Sequence, residues 1–493
     1  MSDPARGRTG SAAPAGDPGA DPDEVRIATV GIDIGSATSH LLFSRVVLRR
    51  LADRLSSRFV VVEREVAWRS PVRLTPYRSN GLIDAEAVGV FVGEAYRGAG
   101  IEPGDVDSGA VILTGTALRR ANARAIAEEV AADSGRFVCA SAGHHLEAVL
   151  AAHGSGATAR SATGAEGVHV DIGGGTAKLA VVRRGRVAAT AAIAVGGRLV
   201  AYDGGRRLVS VDGTLSPVLR RIGLPLEVGQ VFSREEEQAL AGALAGALVA
   251  ALDGRPGAAE VQGLLLTEPL PAPPEAQTVT FSGGVAEYMR DPRAPSFGDM
   301  SPALAGAILE RLRSSGRRAE VLEPGIRATV IGASQFTVQV SGSTISADGT
   351  SLPLRNLPVV APSVEWADDI DTDTVADSVG QAVARRQAGL DSPAMPGVAL
   401  SWAGEPSHRR LRAVAEAMRR VWHQAGRPEP LVVVFDRDVA ASFARVIQAL
   451  PDSPPEVVVL DGLELAELDY LDIGRVIQPA GVVPVVVKSL LFR

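Results

Sequence analysis

The stretch VHVDIGGGTAKLAVV, Val168 to Val182, is an apolar run interrupted by one carboxylate and three consecutive glycines. A buried strand gains nothing from aspartate or glycine in its middle, so the interruption marks a turn between two strands. The same pattern stands earlier in ATVGIDIGSATSHLLF, Ala28 to Phe43, and the hexapeptide reads D-I-G-x-x-T at both Asp33–Thr38 and Asp171–Thr176. A glycine-rich bend brings backbone N–H groups close to an anion, because no side chain holds the anion away. The Ser36, Thr38 and Thr176 hydroxyls add donors, and the aspartate ending each incoming strand supplies the oxygen that hydrated Mg²⁺ recruits. Two such hairpins facing each other would clamp the β- and γ-phosphates of a nucleotide, with one carboxylate each near the metal. One D-x-G turn is a common hairpin feature. The pair, followed by a strand ending FSGG at Phe281–Gly284, is what defines a site, since Gly283 and Gly284 let backbone approach a purine and its ribose.

A chain of 493 residues with 46% hydrophobic and 22% charged residues can bury more than one core, and its length suggests roughly two to four domains. The net charge of −7 argues against a nucleic-acid partner, since phosphate neutralisation needs a basic face. Lysine occurs only at Lys178 and Lys488, which reads as the codon bias of a high-GC genome and not as a phosphate site made by the arginines as a class. The single cysteine, Cys139, excludes an intrachain disulfide framework and a multi-cysteine metal site; it suits a reducing cytoplasm and a core position beside Phe137 and Val138. The longest apolar run, Ala239 to Leu252, has 14 residues and is too short to cross a bilayer. It follows SREEEQ, where Ser233 and Glu236 fit a capping box, so it reads as a buried helix. No membrane partner is expected.

Strand-like and helix-like segments alternate along the chain. Residues 1–24, rich in Pro, Gly, Ala and Asp and without a signal-peptide core, read as a disordered tail. Each hairpin is followed by a further strand and helix, so the α/β fold expected is a pair of duplicated lobes, 25–165 and 166–340, around a nucleotide cleft. The stretch SGSTISADGTSLPLRNLP marks a boundary. Beyond it, residues 345–493 alternate strand and helix again and form a smaller C-terminal α/β domain.

Other signals are weaker. No G-x-x-x-x-G-K-[ST] occurs, which excludes a P-loop. Gly154–Ala159 follows a helix and reads as a flexible loop. Adjacent His144 and His145 point in different directions and make a poor metal pair, while His40 and His169 lie at strand positions and read as structural. The acidic run Asp368–Asp373 lacks the glycine and terminal glutamate of a calcium loop and reads as the charged start of a helix. Glu147, on a short helix between the hairpins, could orient a water or simply face solvent.

In order, ATVGIDIGSATSHLLF, HVDIGGGTAKLAVV, FSGG and PGIRATVIGAS resemble the first phosphate, second phosphate, adenosine and second connecting motifs of the actin, heat-shock-chaperone and sugar-kinase ATPase superfamily, over about residues 25–340. More narrowly, RFVCASAGHHLEAVLAAHGSGA, AVGGRLVAYD, LVVVFDRDVA, VVVLDGLELAELDYLDIG and GVVPVVVKSLLF resemble the reactivating factors of ethanolamine ammonia-lyase, over nearly the whole chain beyond the tail. This implies a cytoplasmic, actin-like chaperone, inside or outside a bacterial microcompartment. It would use ATP and Mg²⁺ to release adenosyl-less cobalamin from ethanolamine ammonia-lyase, with the cobalamin held by that partner. By motif position Asp33, Gly35, Ser36 and Thr38 become phosphate 1, Asp171, Gly173, Gly174, Gly175 and Thr176 phosphate 2, and Gly283 with Gly284 the adenosine contact. Asp33, Asp171 and Glu147 are the catalytic candidates, and Asp33 with Asp171 the metal-facing pair. The superfamily's E-P-x-A-A-A is HHLEAVLAAHG here, and its spacing puts the water-orienting position nearer His145 than Glu147. An actin-like filament or cell-division ATPase, or a small-molecule kinase, would share the fold; the first would be expected to end in a membrane-binding helix and the second to carry a substrate base.

Overall fold

Two sheets of one topology carry the two hairpins. The computed structural model describes residues 23–50, 59–78, 80–114, 121–135, 138–164, 166–271, 278–323, 325–336, 339–340, 352–367, 369–388, 395–426, 430–463, 465, 470–476 and 482–488. The expected tail up to residue 22, the side chain of Cys139 and most of the boundary stretch after Val340 lie outside the described residues.

The first sheet holds β1 (Glu24–Ile34), β2 (Thr38–Arg50), β3 (Phe59–Arg69), the short β4 (Arg73–Leu74), β5 (Ser108–Leu113) and β6 (Val138–Ala142), in the order β3-β2-β1-β5-β6 with β4 on β2. The second holds β7 (Gly167–Ile172), β8 (Ala177–Arg183) and β9 (Arg186–Ile193); after a small ribbon of β10 (Val200–Tyr202) and β11 (Leu208–Val211) it is completed by β12 (Thr278–Ser282) and β13 (Arg318–Val321), in the order β13-β12-β7-β8-β9. In each, three antiparallel strands are followed by two parallel ones joined to the first. The expected duplication is therefore present strand for strand.

Strand alternation decides which side chains meet between the sheets. In β1 and β2, Val30, Ile32, Ile34, Leu41 and Phe43 enter a core with α1 (Ala85–Ala99) and α2 (Ala123–Asp133). That leaves Asp33 and His40 on the other face. In β7, β8 and β12, Val168, Val170, Ile172, Leu179 and Phe281 enter the second core, so His169, Asp171, Lys178 and Ser282 take the opposite face.

Between the sheets lie α3 (His144–Gly154), followed by α4 (Ala157–Ala162), and, much later in the chain, α9 (Ala328–Phe336). The second core is closed on its outer side by α5 (Ser216–Ile222), α6 (Arg234–Leu252), α7 (Gly284–Arg290) and α8 (Ser301–Ser314). Helix α6 starts on the expected capping box: Ser233 Oγ accepts from Glu236 N at 3.1 Å, and Glu236 Oε2 accepts from Ser233 N at 2.8 Å. Helix α3 touches both sheets, through Leu150 against Ala110 and Ile112, and through Ala148 and Ala152 against Ala180 and Val182. Helix α9 packs Val330 and Ile331 on Leu42. The two helices cross with backbones in contact, since a Cβ on Gly154 would overlap the Ala328 carbonyl and a Cβ on Gly332 the Leu150 carbonyl. Gly154–Ala159 is thus no flexible loop. It ends one helix and starts the next, with Gly156 left-handed at φ 81° and Ser155 Oγ accepting from Ala157 N at 3.4 Å.

Chain beyond α9 enters a seven-stranded sheet of β14 (Gln339–Val340), β15 (Leu354–Val360), β16 (Gly397–Leu400), β17 (Leu431–Phe435), β18 (Val457–Leu460), β19 (Tyr470–Ile473) and β20 (Pro484–Lys488), ordered β14-β20-β19-β15-β16-β17-β18. Strands β15 to β18 are parallel and are covered by α10 (Thr372–Ala388), α11 (His408–Gln424) and α12 (Ala440–Gln448). The acidic run does start α10, where Asp371 Oδ1 accepts from Asp373 N at 3.2 Å and Oδ2 from Thr374 N at 3.3 Å. Val482 packs with Val25, Ile27, Val46 and Leu48 of the first sheet.

The crossing gives a stability test. Gly154→Ala should cost about 2 kcal/mol or more by overpacking, whereas Gly89→Ala, in open space on α1, should stabilise by up to about 1 kcal/mol through helix propensity. Urea unfolding of both variants measures the contrast.

Candidate functional site

The two turns are built alike. Gly35 N donates to Thr38 O at 2.9 Å and Gly173 N to Thr176 O at 3.1 Å. The strand registers place Asp33 opposite His40 and Asp171 opposite Lys178. The turns abut, because a Cβ on Gly174 would stand 2.5 Å from the Ala37 Cβ. A cleft of about 300 Å³ opens there, and Asp33, Gly35, Ser36, Thr38, Asp171, Gly173, Gly174, Gly175, Thr176, Gly283 and Gly284 all line it. Glu147 is the one candidate that does not.

The carboxylates lie beneath the turns. Thr114 Oγ1 donates to Asp33 Oδ1 at 2.9 Å, Ser282 Oγ to Asp171 Oδ1 at 2.5 Å, and Thr329 Oγ1 to Asp171 Oδ2 at 3.4 Å. Burial pushes the Asp33 carboxyl up to about 7, opposed by the Thr114 bond and reinforced by the charges of Glu147 and Asp171. Burial also raises Asp171, against the Ser282 bond and the Lys178 charge. No cluster of three His, Cys, Asp or Glu able to hold a metal exists among the described residues. Two carboxylates without an all-protein cage suit Mg²⁺, which keeps waters and takes phosphate oxygens as further ligands.

Glu147 is 1% exposed, so the solvated-face reading fails; its carboxylate is ion-paired with Lys178 instead. Burial raises it to about 7, opposed by Lys178. His145, at the spacing of the missing acid, shares a 2.8 Å hydrogen bond with Thr190 and does not line the cleft. His169 is a structural side chain as expected, bonded to Ser282 at 2.9 Å and Thr280 at 3.1 Å. His40 instead lines the cleft with neither ring nitrogen hydrogen-bonded, and burial together with the Arg327 charge lowers it to about 3. Val285, Tyr288, Pro295, Phe297 and Ile326 give the Gly283–Gly284 end an apolar wall, and Phe297 is 46% exposed there.

Sequence reasoning assigns no role to Thr114, which stands in no motif, nor to Ser282 and Thr329, which stand inside FSGG and PGIRATVIGAS but are not singled out there. It also passes over Lys178, although a lysine in a chain whose other basic residues are nearly all arginine, two residues beyond the second turn, is a signal.

The fold and cleft define a two-lobed, actin-like α/β protein in which a duplicated glycine turn lines one cleft. The chain belongs to the family described as ethanolamine utilisation protein EutA, whose family model matches residues 25–493. It is 34% identical over 473 residues to the ethanolamine ammonia-lyase reactivase EutA of Escherichia coli (strain K12), covering 95% of this chain and 99% of that one. It is 35% identical, over the same shares, to the reactivase EutA of Salmonella typhimurium. Among solved structures, the (R)-2-hydroxyglutaryl-CoA dehydratase component A of Acidaminococcus fermentans matches 63% of this chain and 97% of its own at 13% identity and a TM-score of 0.33. No described helix is long and apolar enough to cross a membrane.

Burial of Asp33 makes a pH prediction. A carboxyl held above its ordinary value of 3.8 contributes stability at low pH that is lost as pH rises through its folded value of about 7. Asp33→Asn should therefore gain on the parent between about pH 4 and pH 7, at no more than about 1.4 kcal/mol per unit, and stay level above. Urea unfolding across that range reads the difference, and a difference constant with pH would refute it.

Proposed function

We propose that this protein is an ATP- and Mg²⁺-dependent reactivating chaperone that acts on ethanolamine ammonia-lyase, freeing it of adenosyl-less cobalamin so that adenosylcobalamin can rebind. The observation that carries the reading is the pair of like turns with a carboxylate each, abutting across one cleft, in a chain that matches the named reactivases over 95% of its length.

In this reading the turns at Gly35–Thr38 and Gly173–Thr176 hold the β- and γ-phosphates from opposite lobes. Asp33 and Asp171 hold the waters of Mg²⁺, which supplies charge neutralisation of the phosphates. Gly283 and Gly284 let the backbone approach the ribose, with the base against Phe297 and Tyr288. The lobes are residues 25–165 and 166–340, and residues 345–493 contribute to the surface that meets the lyase. The two nucleotide states act on the lyase only through a difference in affinity for it, and lobe closure over the γ-phosphate provides that difference. Cobalamin stays with the lyase. The work takes place in the cytoplasm, including inside a microcompartment when the lyase is enclosed there.

Holo-lyase inactivated by turnover should recover when this protein, ATP, Mg²⁺ and fresh adenosylcobalamin are added together. Asp171→Ala should slow recovery by about tenfold or more, as loss of a metal-positioning carboxylate does. Recovery that is equal without ATP, or that fails with every component present, would overturn the reading.

A further inference from the structure

Five charged side chains line the cleft among the described residues, and four are carboxylates: Asp33, Asp171, Glu287 and Asp299. Two of these are neutralised from the side, Glu287 by Arg290 and Asp299 by Arg198 at 3.6 Å. The remaining pair, Asp33 and Asp171, shares the cleft with its one lining cation, Lys178. The duplication sharpens the point. The equivalent position in the first lobe, opposite Asp33, is His40, an imidazole that burial keeps uncharged. Only the second lobe puts a positive side chain beside its aspartate.

Lys178 is also held in an uncommon way. Its ammonium is 3% exposed, donates to Thr176 Oγ1 at 2.6 Å and pairs with Glu147. Thr176 belongs to the second turn, while Glu147 belongs to the first turn of α3, the helix that packs on both sheets. One ammonium therefore connects the anion-binding turn to the helix between the lobes.

We propose that Lys178 is the residue that distinguishes nucleoside triphosphate from diphosphate, by leaving Glu147 for the terminal phosphate when one is present and returning to it when it is not. This rests on the nucleotide-site reading above. A buried ammonium exchanges one charge-assisted partner for another and is paired in both states, and Glu147, whose carboxyl burial raises to about 7 even with the lysine opposing, takes up a proton when the lysine leaves it. A phosphate already touching Thr176 lies within reach of a side chain bonded to that same hydroxyl. Loss of the Glu147 pair in the triphosphate state removes the ionic contact between α3 and β8 and leaves only their apolar packing through Ala148 and Ala152, which gives the terminal phosphate a physical effect between the lobes.

The test is equilibrium binding of a non-hydrolysable ATP analogue and of ADP, each with Mg²⁺, to the full-length protein. Lys178→Met should weaken the triphosphate on the order of tenfold or more while changing ADP by less than about threefold. Glu147→Gln should tighten the triphosphate and leave ADP nearly unchanged, because the lysine loses its competing partner. The double variant, which leaves no unpaired buried charge, should show the same loss of discrimination as Lys178→Met. Equal weakening of both nucleotides in Lys178→Met and in the double variant would mean that Lys178 only supports the turn, and the inference falls. An unchanged preference overturns it as well. Failure of the parent protein to bind either nucleotide removes the nucleotide site itself, and this inference with it.

Discussion

The contact on which the rest depends is the backbone crossing of α3 and α9. Two glycines, Gly154 and Gly332, let the helices approach until each meets the other's carbonyl oxygen. Any side chain there would push the helices apart, and with them the sheets that they separate. The close crossing lets Glu147 on one helix reach the second lobe's Lys178, and lets Thr329 on the other reach Asp171. The cleft is therefore shaped from behind by a layer of helices as much as from the front by its turns.

Within that frame, the polar composition of the cleft follows from a period of two. Outward-facing Val, Ile, Leu and Phe of β1, β2, β7, β8 and β12 need apolar helices over them, so the residues between them face the opposite lobe. The aspartates, His40, Lys178 and Ser282 are neighbours because their strands are neighbours. The cost is desolvation. It shows in carboxyls raised toward neutrality and in an imidazole that stays uncharged.

Much of this was legible in the sequence, for a physical reason. The turns repeat as D-I-G-x-x-T because two strand ends must do the same thing, and the capping box at Ser233 and Glu236 is local in sequence. The crossing is not local. Gly154 stands in a run of Ala, Gly, Ser and Thr that reads as a loop, since nothing nearby says that Ala328 will lie against it. Glu147 shows the same limit: a helix face gives its direction only once the packing is known, and here it points to a buried lysine. Thr114 stands in no motif, and Ser282 and Thr329 stand in motifs that give their hydroxyls no role; that role appears only when three distant segments meet at two carboxylates.

The packing of Val482 against Val25, Ile27, Val46 and Leu48 has a consequence for how the protein is made. Strands β1 and β2 carry an apolar patch whose cover is encoded more than four hundred residues later. At translation speeds of roughly 5–20 residues per second, that patch waits roughly 20–90 seconds for its cover. A chain cut short before Val482 would leave these four side chains without that contact.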